Sequence, residues 1–138
     1  MGIIGIGIDI VHAPRILSLV SRRTPSRLAT RILSPSELQQ WKKTSPPAFL
    51  PPSTTKQVDA VMAEKWFKFL VVRWASKEAA YKALSPLYKP TWKDLTLSKI
   101  PGGYGKPKIT FQNFGEVKLH LSISHDGEYT AANVLAEA

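Results

Sequence analysis

Isoleucines alternate through the opening of the chain: Ile4, Ile6, Ile8 and Ile10 share one face at a period of two, and Gly5, Gly7, Asp9 and Val11 share the other. The pattern predicts a strand over Ile3 to Val11. Its isoleucine face is expected on a core, and its bare glycine face, ending in a carboxylate, is expected to let another group approach the backbone. Pro14 suits the first turn of a short helix through about Ser21, where its missing N–H costs nothing. Arg27 to Leu33 is a second basic amphipathic stretch. Ser34, Pro35 and Glu37 then spell an N-cap, a proline at N1 and a capping-box glutamate for a helix through about Lys43.

Thr44 to Gln57 carries Pro46, Pro47, Pro51 and Pro52 among Ser and Thr, so an exposed and mobile loop is expected there. From about Val58 to Leu84, Val61, Trp66, Phe67, Leu70, Val71, Trp74 and Tyr81 recur at spacings of three and four, predicting one long helix ended by Pro86 and Pro90. The remainder reads as β: strands near Leu95 to Leu97, Lys108 to Phe111, Val117 to Ser124 and Tyr129 to Ala136, the last two joined by a turn over His125, Asp126, Gly127 and Glu128. The expected fold is α+β, a largely antiparallel sheet packed against one long helix plus short N-terminal helices. At 138 residues, a single domain is expected.

Composition narrows the function classes. The absence of cysteine excludes a disulfide scaffold, a thiolate zinc site and a thiol nucleophile. Nineteen Lys plus Arg against ten Asp plus Glu give +9, which calls for an anionic partner: a nucleic acid, a membrane surface, an acidic protein or a phosphorylated ligand. No apolar run nears the roughly 20 residues of a membrane span, since Phe67 to Trp74 is broken by Lys68 and Arg73. The opening residues have neither a charged n-region nor an Arg- and Ser-rich leader, so no targeting peptide is expected. The first 43 residues hold Arg15, Arg22, Arg23, Arg27, Arg31, Lys42 and Lys43 against Asp9 and Glu37 alone. That excess is either a solvated surface or a docking face for an acidic partner.

Several residues carry two readings at this level. Glu78, on a helix face otherwise built for burial, either pairs with Lys82 at i,i+4 or serves as a metal ligand or general base. Asp9 either ends a strand or, with Glu78, holds one Mg²⁺ against phosphate oxygens while Lys82, Arg73 and Lys77 complete a cationic cluster. His125 is either a polar residue near a turn or a phosphate and proton ligand, whereas His120, between Leu119 and Leu121, is expected to face solvent. The run Gly102 to Gly105 lacks both Rossmann and Walker spacing and reads as a flexible turn.

Four segments, GIGIDIV, RILSPSEL, RWASKEAAYKAL and SISHDGEYTAANVL, in that order, resemble holo-acyl-carrier-protein synthases, the short class of 4′-phosphopantetheinyl transferases. The resemblance runs over most of the chain. It implies transfer of the phosphopantetheine arm of coenzyme A to a serine of an apo acyl carrier protein, releasing adenosine 3′,5′-bisphosphate, in the service of fatty acid biosynthesis. By resemblance Asp9 and Glu78 bind Mg²⁺ with the pyrophosphate, and Lys82 neutralises phosphate charge. His125 and Ser124 contact the nucleotide end, and Arg73, Lys77, Gly105, Lys106 and Pro107 lie near coenzyme A; a metal-bound or Glu78-held water is the first candidate for the proton acceptor and His125 the second. Arg15 matches a position that touches the acidic carrier, which extends the docking reading to Arg22, Arg27 and Arg31. The resemblance further implies a homotrimer with active sites between protomers, and neither nucleic acid nor membrane as partner. The Pro-rich stretch departs from compact members and suggests a eukaryotic, organellar relative, so a cytoplasmic or mitochondrial-matrix protein is expected. The competing reading is a basic module without catalysis for RNA or an acidic protein, and against RNA the aromatic residues are not interleaved with basic ones on a strand.

Overall fold

In a computed structural model describing residues 2–44, 46 and 48–138, the chain folds as α+β. Strand β1 (Ile3–His12) leads into helices α1 (Ala13–Arg23), α2 (Pro25–Ile32) and α3 (Pro35–Lys42). After a proline-rich connection come α4 (Thr55–Ala63) and the long α5 (Lys65–Leu84), then strands β2 (Leu95–Lys99), β3 (Pro107–Phe111), β4 (Lys118–Asp126) and β5 (Tyr129–Glu137). The strands form two antiparallel sheets rather than one: a three-stranded sheet in the order β1-β5-β4 and a separate β2-β3 hairpin. Helix α5 packs on β1 and β5, and its other side buries Trp66, Leu70, Lys77, Ala80 and Leu84. Among the described residues no helix is long and apolar enough to cross a membrane.

The alternation in β1 is real, but its two faces are reversed relative to expectation. Ile6, Ile8 and Ile10 are 63–67% exposed, while the face of Gly5, Gly7, Asp9 and Val11 lies against α5. The cause is steric. A Cβ on Gly5 would stand 1.9 Å from the Ala83 carbonyl oxygen, and one on Gly7 would stand 2.0 Å from that of Ala79. Only a strand bare on that side can lie so close to a helix backbone. A bulge between Ile3 and Gly5 breaks the alternation at its start, which leaves Ile4 half-buried.

Three other boundaries move. The predicted long helix is two helices, because Glu64 is extended (φ −69°, ψ 141°) and resets the phase between α4 and α5. The half-buried Val58, Val61 and Met62 therefore reach the core that holds Trp66, Phe67 and Leu70 from a helix of their own. The Pro-rich loop is shorter than Thr44 to Gln57: Thr54 caps α4 by accepting from the Gln57 N–H at 3.1 Å, so Thr55 to Gln57 are helical. The loop is also anchored, with the Phe49 ring edge-on to Trp66 at 5.8 Å, although Leu50 is exposed. Ser45 and Pro47 of that stretch lie outside the described residues. At the other end, β4 runs on through His125 and Asp126, and the turn narrows to Gly127 (φ 55°) and Glu128.

Gly7→Ala is expected to lower stability by about 2 kcal/mol or more, since the clash is with helix backbone that cannot move alone. Gly2→Ala, whose Cβ would meet nothing within 4 Å, should change stability by less than about 0.5 kcal/mol. Urea denaturation of both variants checks this.

Candidate active site

The glycine face of β1 places Asp9 over the C-terminal half of α5. There Lys82 Nζ donates to the Ile8 carbonyl at 2.9 Å and to Asp9 Oδ1 at 3.2 Å. Glu78 lies one turn before Lys82 on the same side of the helix, close enough to Asp9, Lys82 and Arg15 for each to act on its charge. Burial, and then the negative charge of Asp9, push the Glu78 carboxyl above the usual carboxylate range, while Lys82 and Arg15 oppose that rise. Asp9 Oδ2 is buried and accepts no hydrogen bond. A buried carboxylate oxygen without a donor, beside a second carboxylate held up in pKa, is a site that gains from a cation. Among the described residues no group of three or more His, Asp or Glu surrounds such an ion. The two carboxylates would therefore hold a hard divalent metal together with oxygens from water or a bound phosphate.

Arg15, on α1, reaches this cluster as well, with its guanidinium carbon 6.0 Å from the centre of the Trp74 ring. Arg15 and Arg22 are seven residues apart and so share a face of α1, while Arg27 and Arg31 share a face of α2 and line a shallow surface depression.

Lys77 does not join the cationic cluster. It lies about 100° around the helix from Glu78 and is 1% exposed. Its ammonium donates to Glu37 Oε1 at 2.5 Å, the Ile32 carbonyl at 2.7 Å and the Trp92 carbonyl at 3.0 Å, which occupies all three protons. Burial lowers its pKa, and Glu37 counteracts the fall. Arg73, one turn earlier, is also drawn inward: its Nε stands 3.8 Å from Glu37 Oε2, its guanidinium lies over Phe69 at 3.5 Å, and desolvation lowers its pKa to about 10. Arg73 still lines an open cleft with Lys65, Lys68 and Lys99.

Glu37 is the residue that sequence reasoning undervalued. It does accept the Ser34 N–H at 2.9 Å as a capping-box glutamate, but it also accepts the Leu97 N–H at 2.8 Å and the Lys77 ammonium, with no exposure to solvent. The capping role was legible from spacing; partners 40 and 60 residues away were not.

His125 stands apart from the cluster. Asp9 pairs with Ala132, which pairs with Ile123 on the far strand, and His125 is two residues further along. At about 4.8 Å between strands and 3.3 Å per residue, the Asp9 and His125 Cα atoms are roughly 12 Å apart. His125 Nδ1 is 3.0 Å from Thr130 Oγ1, and the ring lines a cavity of about 410 Å³ with Met62, Phe67 and Val71. Ser124, its neighbour in sequence, faces the opposite side of the sheet beside Ala131. Gly105, Lys106 and Pro107 lie at the exposed tip and first residue of the β2-β3 hairpin. His120 does face solvent, bonded to Glu137 at 2.9 Å. A single chain thus brings together Asp9, Glu78, Lys82 and Arg15, and leaves His125, Ser124 and the Gly105 to Pro107 turn elsewhere.

The model of the 4′-phosphopantetheinyl transferase superfamily matches residues 5–134. The holo-[acyl-carrier-protein] synthase of Geobacillus kaustophilus is 36% identical over 135 residues, covering 98% of this chain and 89% of that protein. A protein of Aspergillus fumigatus named 4′-phosphopantetheinyl transferase B, mitochondrial, is 34% identical over 145 residues, covering 96% of this chain and 93% of its own. Among solved structures, the holo-[acyl-carrier-protein] synthase of Neisseria meningitidis superposes with a TM-score of 0.74 at 26% identity over 99% of both chains. The Bacillus anthracis holo-(acyl-carrier-protein) synthase in complex with CoA (3′,5′-ADP) gives 0.69 at 26% identity, covering 100% of this chain and 99% of that one.

Two measurements follow from this geometry. In metal-free protein the Glu78 carboxyl should titrate above an ordinary glutamate by carbon-detected NMR, with Lys82→Met moving it further up and Asp9→Asn moving it down. Glu37→Gln, which strands a buried ammonium, should cost about 3–5 kcal/mol by urea denaturation. The double variant with Lys77→Met should lose less than the sum of the two single losses.

Proposed function

Because the chain belongs to the 4′-phosphopantetheinyl transferase superfamily and is a transferase, we propose that it moves the 4′-phosphopantetheine arm of coenzyme A to a serine of an apo acyl carrier protein with the help of Mg²⁺. The observation that carries this reading is the buried, donorless Asp9 Oδ2 beside Glu78 and Lys82, at a strand stripped of side chains. Asp9 and Glu78 would hold the Mg²⁺, which would supply positive charge to a pyrophosphate and to its leaving oxygen. Lys82 adds a mobile cation from the same side, and Arg15 a second. The serine oxygen forms a bond to the phosphorus that carries the arm. The bond from that phosphorus to the bridging oxygen breaks, and adenosine 3′,5′-bisphosphate leaves with the bridging oxygen and its electron pair. The serine proton passes to a water held by Glu78. His125 lines the cavity at Met62, Phe67 and Val71 and not the cleft that holds Glu78, so this reading places the acceptor at Glu78.

The carrier is acidic in this reading, and the exposed Arg15, Arg22, Arg27 and Arg31 receive it, with Arg15 joining the docking face to the carboxylate cluster. A second copy completes the site. The exposed Ile6, Ile8 and Ile10 form an apolar stripe on a sheet face, the kind of surface that a soluble protein covers by assembly. Packing three copies through it brings a neighbour's His125, Ser124 and Gly105 to Pro107 turn toward the nucleotide end. The reaction belongs to the cytoplasm or the mitochondrial matrix, and the fungal relative's name supports the second.

Incubation with coenzyme A, Mg²⁺ and an apo carrier should raise the carrier's mass by that of the phosphopantetheine arm. Glu78→Ala should abolish the gain without unfolding the chain, and activity retained in that variant would remove Glu78 from the site. Ile8→Arg should convert the trimer to monomer in sedimentation and lose transfer with it.

A further inference from the structure

The carboxylate cluster and the basic helices meet at one side chain, Arg15. Of the arginines on α1 and α2, Arg15 alone among the described residues has an aromatic ring beneath it: Trp74 of α5, with the guanidinium carbon 6.0 Å from the ring centre. Arg15 forms no salt bridge among the described residues. Its side chain is exposed, and a long cation left free in water has many rotamers to lose before it can meet a partner. An electron-rich ring face removes part of that loss in advance.

Trp74 is placed as a fixed face rather than as a donor. One turn before Glu78, it shares that residue's side of α5. Its ring packs on that of Trp92 at 5.0 Å and an angle of 43°. Trp92 is tied down in turn by its carbonyl, which accepts from the buried Lys77 ammonium at 3.0 Å. The Trp74 Nε1–H is buried and reaches no acceptor. An unpaired buried N–H is a cost that a phenylalanine would not carry. The position therefore draws its advantage from the broad indole face, the aromatic surface that attracts a cation most strongly. A chain of contacts thus runs from the interior pair of Glu37 and Lys77, through Trp92 and Trp74, to an exposed guanidinium close enough to Glu78 to act on its charge.

We propose that Trp74 is a positioning residue for carrier docking: its ring face, braced by Trp92, holds the Arg15 guanidinium beside the Asp9 and Glu78 cluster, where the carrier's serine must arrive. Arg22, Arg27 and Arg31 have no such support, so they attract an acidic partner without fixing its register. The assignment rests on the carrier-docking reading above and adds to it the residue that sets where the docking face meets the chemistry.

Steady-state transfer with the apo carrier varied reads this step. Trp74→Leu, which keeps an apolar side chain but loses the ring face, should lower kcat/KM for the carrier about fivefold, with most of the change in KM. Trp74→Phe, which restores a ring without the N–H, should recover most of the loss. In an Arg15→Met background, Trp74→Leu should cost nothing further. A Trp74 that served packing alone would cost the same with and without Arg15, and that additivity, or full activity of Trp74→Leu, would overturn the proposal. In the wild-type chain, nuclear Overhauser contacts between the Trp74 ring protons and the Arg15 side chain are expected whether or not transfer occurs, and their absence would overturn it as well. Neither transfer to an apo carrier nor carrier binding by calorimetry in the wild type would instead overturn the docking reading on which the proposal rests.

Discussion

The approach of β1 to α5 is the constraint from which the site follows. Strand and helix backbones come so close that a single methyl at Gly5 or Gly7 would fall within 2.0 Å of a helix carbonyl oxygen. The proximity puts the Ile8 carbonyl and Asp9 within reach of Lys82 and leaves Asp9 Oδ2 enclosed without a donor. A strand with ordinary side chains on that face would stand further off, and the carboxylates of β1 and α5 would meet in water, where neither has reason to gain from a metal.

The opposite side of the helix is held by a different force. Glu37 accepts from Lys77 and from the backbone of Ser34 and Leu97, tying α3, the middle of β2 and α5 into one buried polar junction. Lys77 also gathers the carbonyls of Ile32 and Trp92. Adjacent residues thus have opposite fates. Lys77 is a structural ion locked inward, and Glu78, about 100° around the helix, is a partly buried carboxyl facing Asp9. Contact on one side and ion pairing on the other fix both the position and the rotation of the helix that carries Glu78 and Lys82.

Much of this was legible in one dimension, and the failures have physical causes. The glycine-and-aspartate face and the capping box at Ser34 are local patterns that the structure realises, and Glu78 and Lys82 share one side of α5, although Lys82 pairs with Asp9 rather than with Glu78. Periodicity separates the two faces of β1 but carries no information about which one meets a helix, and apolarity favoured the wrong face because the isoleucines suit an interface as well as a core. Lys77 read as a phosphate cation because its partner Glu37 lies 40 residues away. The single long helix over Val58 to Leu84 failed at Glu64, since both segments keep helical spacing and only their phase relation changes there.

The charge of +9 is accordingly divided by location: an interior share at Lys77 and Arg73 that holds the fold, a share at Lys82 and Arg15 beside Asp9 and Glu78, and an exposed share on α1 and α2. The central claim is that phosphates and a divalent ion meet at Asp9 and Glu78. Its most direct test is a crystal structure with coenzyme A and Mn²⁺, recorded at the manganese absorption edge. The account predicts an anomalous peak bonded to the carboxylates of Asp9 and Glu78 and to a pyrophosphate oxygen, with Lys82 turned from Ile8 toward phosphate. Coenzyme A bound with no metal at that pair, or a metal peak held by other residues, would contradict it.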